Sequence, residues 1–432
     1  MRRMFPAVLL ILLLQSGAAG AENEWRQLFN GKDLSGWVNV NCGPETWVVH
    51  EGMIVCTGVP KGYLRTDRQY ENFVLELDWL HVKKGGNSGL FLFADALPAV
   101  GSPYPRSLEV QIKDGNPGDI FPIKGASMCP WYPSRKGRVR STPSENRVHP
   151  AGQWNHYRLE VRDGVVTLAV NGEVVNWAYH ATPRKGYICL ESEGSEIRFR
   201  NIRIRELPGS NPPPDVVAEE DEGFVPLYRG VDLRNWKVAA GSRGHWRAKD
   251  WILDYDGKSQ AKGDDRHLWS QEEFSDFVLM IDWRLPGEVK IDSVPVVLPD
   301  GNTLKGPDGA EVRVPVLDAG DSGIYLRGTS KAQANIWNWP VGSGEIWGYR
   351  TDRKMPPEVR RAATPIRCAD NPVGEWNRFL ITVRGSRVSV VLNGVAVIRD
   401  AELPGLPSQG PIALQHHGDP VQFANIFVKR LD

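Results

Sequence analysis

This chain contains itself twice, and that constrains its fold more than any other feature. The stretch F-N-G-K-D-L-S-G-W from Phe29 to Trp37 returns as Y-R-G-V-D-L-R-N-W from Tyr228 to Trp236, and later landmarks return in the same order. Trp47 matches Trp246, Phe73–Trp79 matches Phe277–Trp283, Asn87-Ser88-Gly89 matches Asp321-Ser322-Gly323, and F-R-N-I at Phe199 matches F-A-N-I at Phe423. Trp154-Asn155 and Trp376-Asn377 each precede an Asn-Gly pair, at Asn171 and Asn393, by 17 residues. A repeat of this length means two homologous folding units. The 432 residues are too many for one ordinary domain, which agrees.

The seam runs from Pro208 to Gly223, where three consecutive prolines and the acidic run Glu219-Glu220-Asp221-Glu222 cannot continue a strand. The expected division is a leader at 1–21, a first domain at 22–207, a linker at 208–222 and a second domain at 223–432. The leader carries Arg2 and Arg3, an apolar run from Val8 to Leu14, and Ala19-Gly20-Ala21. That order reads as a secretory signal peptide cleaved after Ala21, with an apolar run too short to span a bilayer. The expected mature protein is exported, periplasmic or secreted, without a transmembrane segment.

Within each half the periodicity is that of strands. Val74–Trp79, Leu159–Val161, Val165–Val170 and Ile197–Ile204 alternate apolar and polar residues, and Asn171-Gly172 and Asn393-Gly394 are favoured two-residue hairpin turns. Many short strands with Gly and Pro punctuation predict an all-β protein of two tandem antiparallel β-sandwiches of jelly-roll kind. The second half inserts Pro286–Leu317, read as an extra hairpin, and both halves carry long segments before Trp-Asn, Gly115–Gln153 and Trp339–Glu375, of a length usual for loops that line a site. Trp37 and Trp236 are expected as core anchors.

The formal charge is zero, from 52 basic and 52 acidic residues, which argues against nucleic acid as a partner. The 16 tryptophans suit half-buried strands and also stacking on sugar rings. Of the five cysteines, Cys42 and Cys56 could pair across adjacent strands or remain buried thiols, and no Cys/His spacing indicates zinc.

The stretch S-L-E-V-Q-I-K-D from Ser107 to Asp114 is the first candidate for chemistry. Strand alternation sets Glu109, Gln111 and Lys113 on one face, with Leu108, Val110 and Ile112 on the core face. Its echo Q-A-N-I-W-N from Gln333 to Asn338 sets Gln333, Asn335 and Trp337 on one face, so one copy is acidic and the other amide. Amides with an indole recognise sugars well but carry protons poorly. Glu109 and Lys113 could equally be an exposed ion pair, and Asp114 a turn cap. The N-S-G and D-S-G motifs read as shaping a tight turn, and the basic runs Arg135–Arg140 and Arg350–Lys354 as solvated loops or readers of an acidic sugar.

Taken together, F-N-G-K-D-L-S-G-W, N-S-G, E-V-Q-I-K-D, Trp-Asn, the N-G hairpin and F-R-N-I resemble the 3-keto-disaccharide hydrolase domain, formerly a domain of unknown function, in tandem copies over residues 24–206 and 223–431. The resemblance implies a concanavalin- or LamG-like sandwich in an exported protein that cleaves glycosides already oxidised to a ketone at C3. The oxidation would come from a separate oxidoreductase. The family's closing L-Q-x-H-G reads Leu414-Gln415-His416-His417-Gly418 in the second copy and Leu190-Glu191-Ser192-Glu193-Gly194 in the first. Its G-A-I-Y-G-like segment aligns with Gly344–Gly348 in the second copy and only loosely with Gly125–Met128 in the first.

A C3 ketone acidifies the C2 proton, so the bond can break by elimination followed by addition of water, with a base near C2, an acid for the leaving oxygen and a donor or cation for the enolate. Catalysis is therefore expected from Glu109, Asp114 and His417, the first helped by Glu191 or Glu193. Glu109 is also a possible ligand for a hard cation such as calcium. Substrate binding is expected from Gln111, Lys113, Gln333, Asn335, Trp337, Glu345, Tyr349 and Arg350. The competing readings are a non-catalytic glycan-binding protein on the same sandwich, or one catalytic and one binding domain.

Overall fold

A computed structural model describes residues 24–115, 117–132, 137 and 139–431. The proposed leader therefore lies outside the described residues, as do Arg135, Lys136 and Arg138 of the basic run Arg135–Arg140. Each half is a pair of facing antiparallel sheets, nine and six strands in the first and eight and five in the second. Alternation explains why: in Asn155–Arg162 and Asn377–Arg384 every second residue is buried, and these inner residues meet those of the facing sheet. Leu75, Leu77, Leu108, Val110, Tyr157 and Phe199 belong to one core, and Leu279, Ile281, Ala334, Ile336, Phe379 and Phe423 to the other. Trp37 and Trp236 are buried in them as expected.

The two Asn-Gly turns close hairpins in which Val170 pairs Glu173 and Leu392 pairs Val395. Both turn residues take positive φ, 49° and 95° in the first and 50° and 80° in the second, a geometry that Asn and Gly tolerate. Each Asn side chain also accepts a backbone N–H, from His156 at 2.8 Å and Arg378 at 2.9 Å. The insertion forms its own hairpin, Lys290–Pro295 against Arg313–Asp318, apart from both sandwich sheets. In the second long segment lie two short helices, Trp347–Arg350 and Pro357–Ala362.

The linker is docked, which its composition did not suggest. Ala218 is buried, Asp221 pairs with the buried Arg65 at 2.5 Å, and the Glu219 N–H donates to Asp95 at 2.8 Å. Beside it the outer face of the first domain's six-stranded sheet packs on the second domain's eight-stranded sheet. Val40, Tyr63, Phe91, Tyr187 and Cys189 meet Met280 and Phe427 in a third apolar cluster. Cys42 and Cys56 are separate buried thiols, Cys42 facing the Pro60 carbonyl at 3.6 Å. No helix among the described residues is long and apolar enough to cross a membrane.

Candidate functional site

The Ser107–Gln111 strand is buried on both faces. Leu108 and Val110 enter the core as the alternation requires, while Glu109 and Gln111 are only 6% and 5% exposed. Glu109 is opposite Phe91, and Gln111 is opposite Gly89, on the neighbouring strand. On the far side of that strand, Glu191 is 1% exposed. The glycine is what lets the two carboxylates approach: a Cβ at Gly89 would lie 2.8 Å from Glu191 Oε2 and 3.0 Å from Glu109 Oε1. Its backbone is extended rather than left-handed, so the N-S-G motif makes room for acids instead of turning the chain. Ser88 ties the strands by donating to the Glu191 carbonyl at 2.8 Å.

Glu193 completes the group. Its carboxylate accepts from the Asn87 amide, and the Asn87 carbonyl in turn accepts from Gln111 at 2.9 Å. Three carboxylates in one dry place cannot all ionise at ordinary pH. Burial, then the Glu193 charge, push Glu109 up to about 8 against the pull of Arg140 and Lys113. Burial and its two glutamate neighbours push Glu191 well above the usual range, and Glu191 Oε2 has no hydrogen-bond partner. Burial raises Glu193 as well, opposed by Lys61 and Lys113. The cluster can hold and exchange protons near neutrality. Among the described residues no three His, Cys, Asp or Glu side chains are arranged to hold a metal ion, so the donor set gives the calcium expectation no support.

The second copy uses the same backbone. Tyr325 is opposite Gln333, Gly323 is opposite Asn335, and Leu414 pairs Ile324 as Leu190 pairs Leu90. Asn87, Glu109, Gln111, Glu191 and Glu193 thus correspond to Asp321, Gln333, Asn335, Gln415 and His417. Acid and amide have changed places at three of these positions, the acid Glu193 has become His417, and Gln111 and Asn335 are both amides. Gln333 donates to Asn335 at 2.6 Å and to Gln415 at 2.8 Å, and a Cβ at Gly323 would lie 2.7 Å from Gln333 Cγ. Above this floor is a cavity of about 570 Å³ lined by Asp321, Tyr325, Lys331, Trp347, Asp352 and His417 among others. That volume suits a disaccharide-sized ligand. Burial pushes Asp321 up to about 7, with the His417 charge opposing and Asp419 and Asp318 assisting. His417 Nδ1 stands 3.5 Å from Asp419 Oδ2, and its side chain is half exposed.

Backbone pairing also realigns the loop after each strand. Asn335 donates to the Glu345 carbonyl at 2.9 Å and receives from Gly344 at 2.8 Å; Gln111 donates to Asp119 at 2.9 Å and receives from Gly118 at 2.8 Å. The first-copy counterpart of Gly344-Glu345-Ile346 is therefore Gly118-Asp119-Ile120, and not Gly125–Met128 as the sequence alignment had it. Each acid is buried against an arginine, Asp119 with Arg140 at 2.6 Å and Glu345 with Arg350. Burial raises both acids, Glu345 to about 7.

Of the residues singled out from sequence, Glu109 and Gln111 meet in the buried cluster of the first domain, and Gln333, Asn335 and His417 line the cavity of the second. Lys113 lies exposed beyond the strand end, its charge still felt by Glu109 and Glu193. Asp114 is exposed and accepts the Gly85 N–H at 2.7 Å, closing a turn away from the glutamates. Trp337 is buried, stacked on Trp339 at 3.9 Å, and does not line the cavity; the exposed indole there is Trp347. Tyr349 is buried and donates to Pro404 at 3.2 Å, while Arg350 backs Glu345. The sequence reading passed over Asn87, Asp321, Tyr325, Lys331 and Gln415. The signal for them was available in the repeat: the strand neighbours of Glu109 should have been compared between copies as Glu109 itself was.

A family model described as a 3-keto-alpha-glucoside-1,2-lyase-like domain matches this chain twice, at residues 24–205 and 223–429. A 3-keto-disaccharide hydrolase from Bacteroides thetaiotaomicron is 24% identical over 229 residues, covering 42% of this chain and 77% of that protein. A crystal structure from Parabacteroides distasonis, provisionally named a glycosyl hydrolase, is 26% identical and covers 44% of this chain and 95% of its own, with a TM-score of 0.34. The carbohydrate binding module CBM66 from Bacillus subtilis is 15% identical, covering 39% of this chain and 94% of its own, with a TM-score of 0.29.

Proposed function

The chain belongs to the family of 3-keto-alpha-glucoside-1,2-lyase-like domains, in two tandem copies, and from that premise we propose an exported enzyme that cleaves 3-keto-disaccharides by elimination and hydration, with the chemistry in the first domain. The observation that carries this reading is the meeting of Glu109, Glu191 and Glu193 around Gly89. A carboxyl poised near the working pH is the best compromise between being available and being basic. Glu109, pushed up to about 8, takes the C2 proton. The C1–O bond breaks as its electrons pass to the leaving oxygen, which receives the proton that burial keeps on Glu191. The amides of Gln111 and Asn87 are the donors at hand for the enolate oxygen. Water then adds at C1, giving its proton to Glu191, and the proton held by Glu109 returns to C2, restoring both carboxyls. A separate oxidoreductase supplies the C3 ketone.

In the same proposal the second domain holds the sugar. Its floor is three amides, Gln333, Asn335 and Gln415, beside the Tyr325 hydroxyl and the exposed Trp347, groups that bind hydroxyls and ring faces. A second reading places chemistry there too, because Asp321 and His417 both line the open cavity and the His417 charge acts on the Asp321 carboxyl.

The deciding experiment offers the purified chain a panel of 3-keto-disaccharides beside their unoxidised parents, with and without chelator, and repeats it with Glu109→Gln and with Asp321→Asn. Cleavage of the keto sugars alone, lost in Glu109→Gln, is the expected result. Binding of unoxidised glycans without cleavage of either set would instead make the protein a lectin.

A further inference from the structure

The first domain has a loop that the second lacks. In the second domain the strands Ser322–Leu326 and Thr329–Ile336 are joined by Arg327-Gly328 alone, with Leu326 paired to Thr329. In the first, the corresponding strands pair through Leu92 and Leu108, and the chain between them runs outward from Asp95 to Arg106. Arg106 clasps the base of this loop with two bonds to Asp95, each 2.9 Å. Its tip folds on itself, Ala99 donating to the Tyr104 carbonyl at 3.0 Å and Tyr104 to Ser102 Oγ at 3.0 Å.

That tip is held by the second domain. Arg378 donates to the Pro98 carbonyl at 2.9 Å, the Gly101 N–H donates to Asp282 at 2.9 Å, and the Asn425 amide donates to the Ser102 carbonyl at 2.9 Å. Arg378 and Asn425 are themselves bonded to Asp282, at 2.9 and 2.7 Å on Oδ2. Asp282, Asn425 and Ser102 are at most 1% exposed. Gly101 has φ +60°, and a Cβ there would lie 2.5 Å from the Trp376 ring, so the fit admits only glycine. Around the polar centre Met280, Leu380 and Phe427 form an apolar collar.

The repeat provides an internal control. The first domain has the same polar centre, His156 bonded to Asp78 at 2.8 Å and Asn201 to Asp78 at 2.7 Å, on the same strands. Where the second domain has Met280, Leu380 and Phe427, the first has the ion-paired Glu76, Arg158 and Arg203, and Asn201 is exposed. The collar belongs to the copy that receives the loop.

Inside the first domain the loop delivers Tyr104. Its ring meets Phe91 edge-on at 5.6 Å, and Phe91 is the cross-strand partner of Glu109. Its hydroxyl donates to the carbonyl of Ser192, between Glu191 and Glu193, at 3.2 Å. Burial, and after it the charges of the three glutamates, holds the proton on that hydroxyl far above the usual range.

We propose that the second domain serves as a socket for the first: by gripping the tip of the Asp95–Arg106 loop it sets Tyr104 as a positioning residue that keeps the glutamate pocket dry and in register. The catalytic consequence rests on the function proposed above; the grip itself does not. The test uses the full chain carrying Asp282→Ala with Asn425→Ala, and separately Tyr104→Phe. In the double variant, hydrogen exchange at Gly101 and Ala99 should rise at least 10-fold while the second-domain core amides hold, and kcat on a 3-keto-disaccharide should fall at least 10-fold with little change in KM. Tyr104→Phe should reproduce the kcat loss without the exchange change. Rapid exchange at the tip of the wild-type loop, or a loosened tip with kcat unchanged, overturns the proposal. Gly101→Val gives a second way to expel the tip if the double variant unfolds. If the wild-type chain cleaves no keto sugar, the proposed function fails, and the socket is read instead from the carbon-13 titration of the glutamate carboxyls. The Glu109 midpoint near 8 should drop by a unit or more in the loosened chain, and an unmoved midpoint refutes the socket.

Discussion

The two sites share a backbone and differ in where a proton can reside. In the first, three glutamates are pressed together with two amides; in the second, the floor is three amides and the acid has moved to Asp321 at the rim, beside His417. A glycine at the same register position makes both possible, giving space to carboxylates at Gly89 and to an amide at Gly323. The comparison teaches that a strand pair and a glycine define the site, and that exchange between Glu and Gln or between Asp and Asn moves the groups able to hold a proton without disturbing the fold.

The strongest way to break the comparison is Glu109→Gln, which makes the first pocket resemble the second. It should lower kcat by about 100- to 10,000-fold, the usual worth of a general acid or base. A loss of less than about 3-fold would mean that the first pocket does no chemistry. The next effect is on stability. A carboxyl with a raised folded pKa keeps its proton longer when folded than when unfolded, so stability is greatest at low pH and falls as pH climbs from the ordinary carboxylate range through about 8. Glu191→Gln relieves this crowding, and the variant should exceed the wild type at pH 8 by roughly 2 kcal/mol, about 4–8 °C in Tm, while matching it near pH 4. Thermal melts at the two pH values read this directly.

Asp321→Asn sharpens the other side. With recognition as the role of the second pocket, KM should rise about 10-fold and kcat stay within about 3-fold, an outcome of lost ground-state binding. A kcat drop of about 100-fold would move the chemistry to Asp321 and His417. The smallest expected effect is that of Trp347→Ala. Losing one exposed stacking surface should weaken glycan binding by about 3- to 10-fold in calorimetry, with the first pocket's carboxyl titration unchanged.

Much of this was legible in order. The repeat, the sandwich class, the Asn-Gly hairpins and the polar face of Glu109 and Gln111 all follow from patterns that act over a few residues, where strand alternation and turn chemistry govern. The alignment of Gln333 with Glu109 also holds in the register of the two sheets. Where the reading went astray, the missing information was distance across strands. Trp337 has the right parity for the site face, but it lies beyond the strand end and stacks on Trp339. Asp114 likewise falls past the strand and closes a turn, as Asn338 does by accepting from Ala319 at 3.0 Å in the other copy.

The chain order alone decided that there are two sandwiches and that one carries acids where the other carries amides, because those properties reside in side-chain identity and period. Only the tertiary structure decided that Glu191 faces Glu109 across a glycine, that Gly118-Asp119-Ile120 replaces Gly125–Met128 as the paired loop, and that the second domain grips the first domain's loop. Those facts depend on residues brought together from strands far apart in sequence, and on burial. Burial is what lifts all three glutamates above the ordinary carboxylate range, Glu109 to about 8.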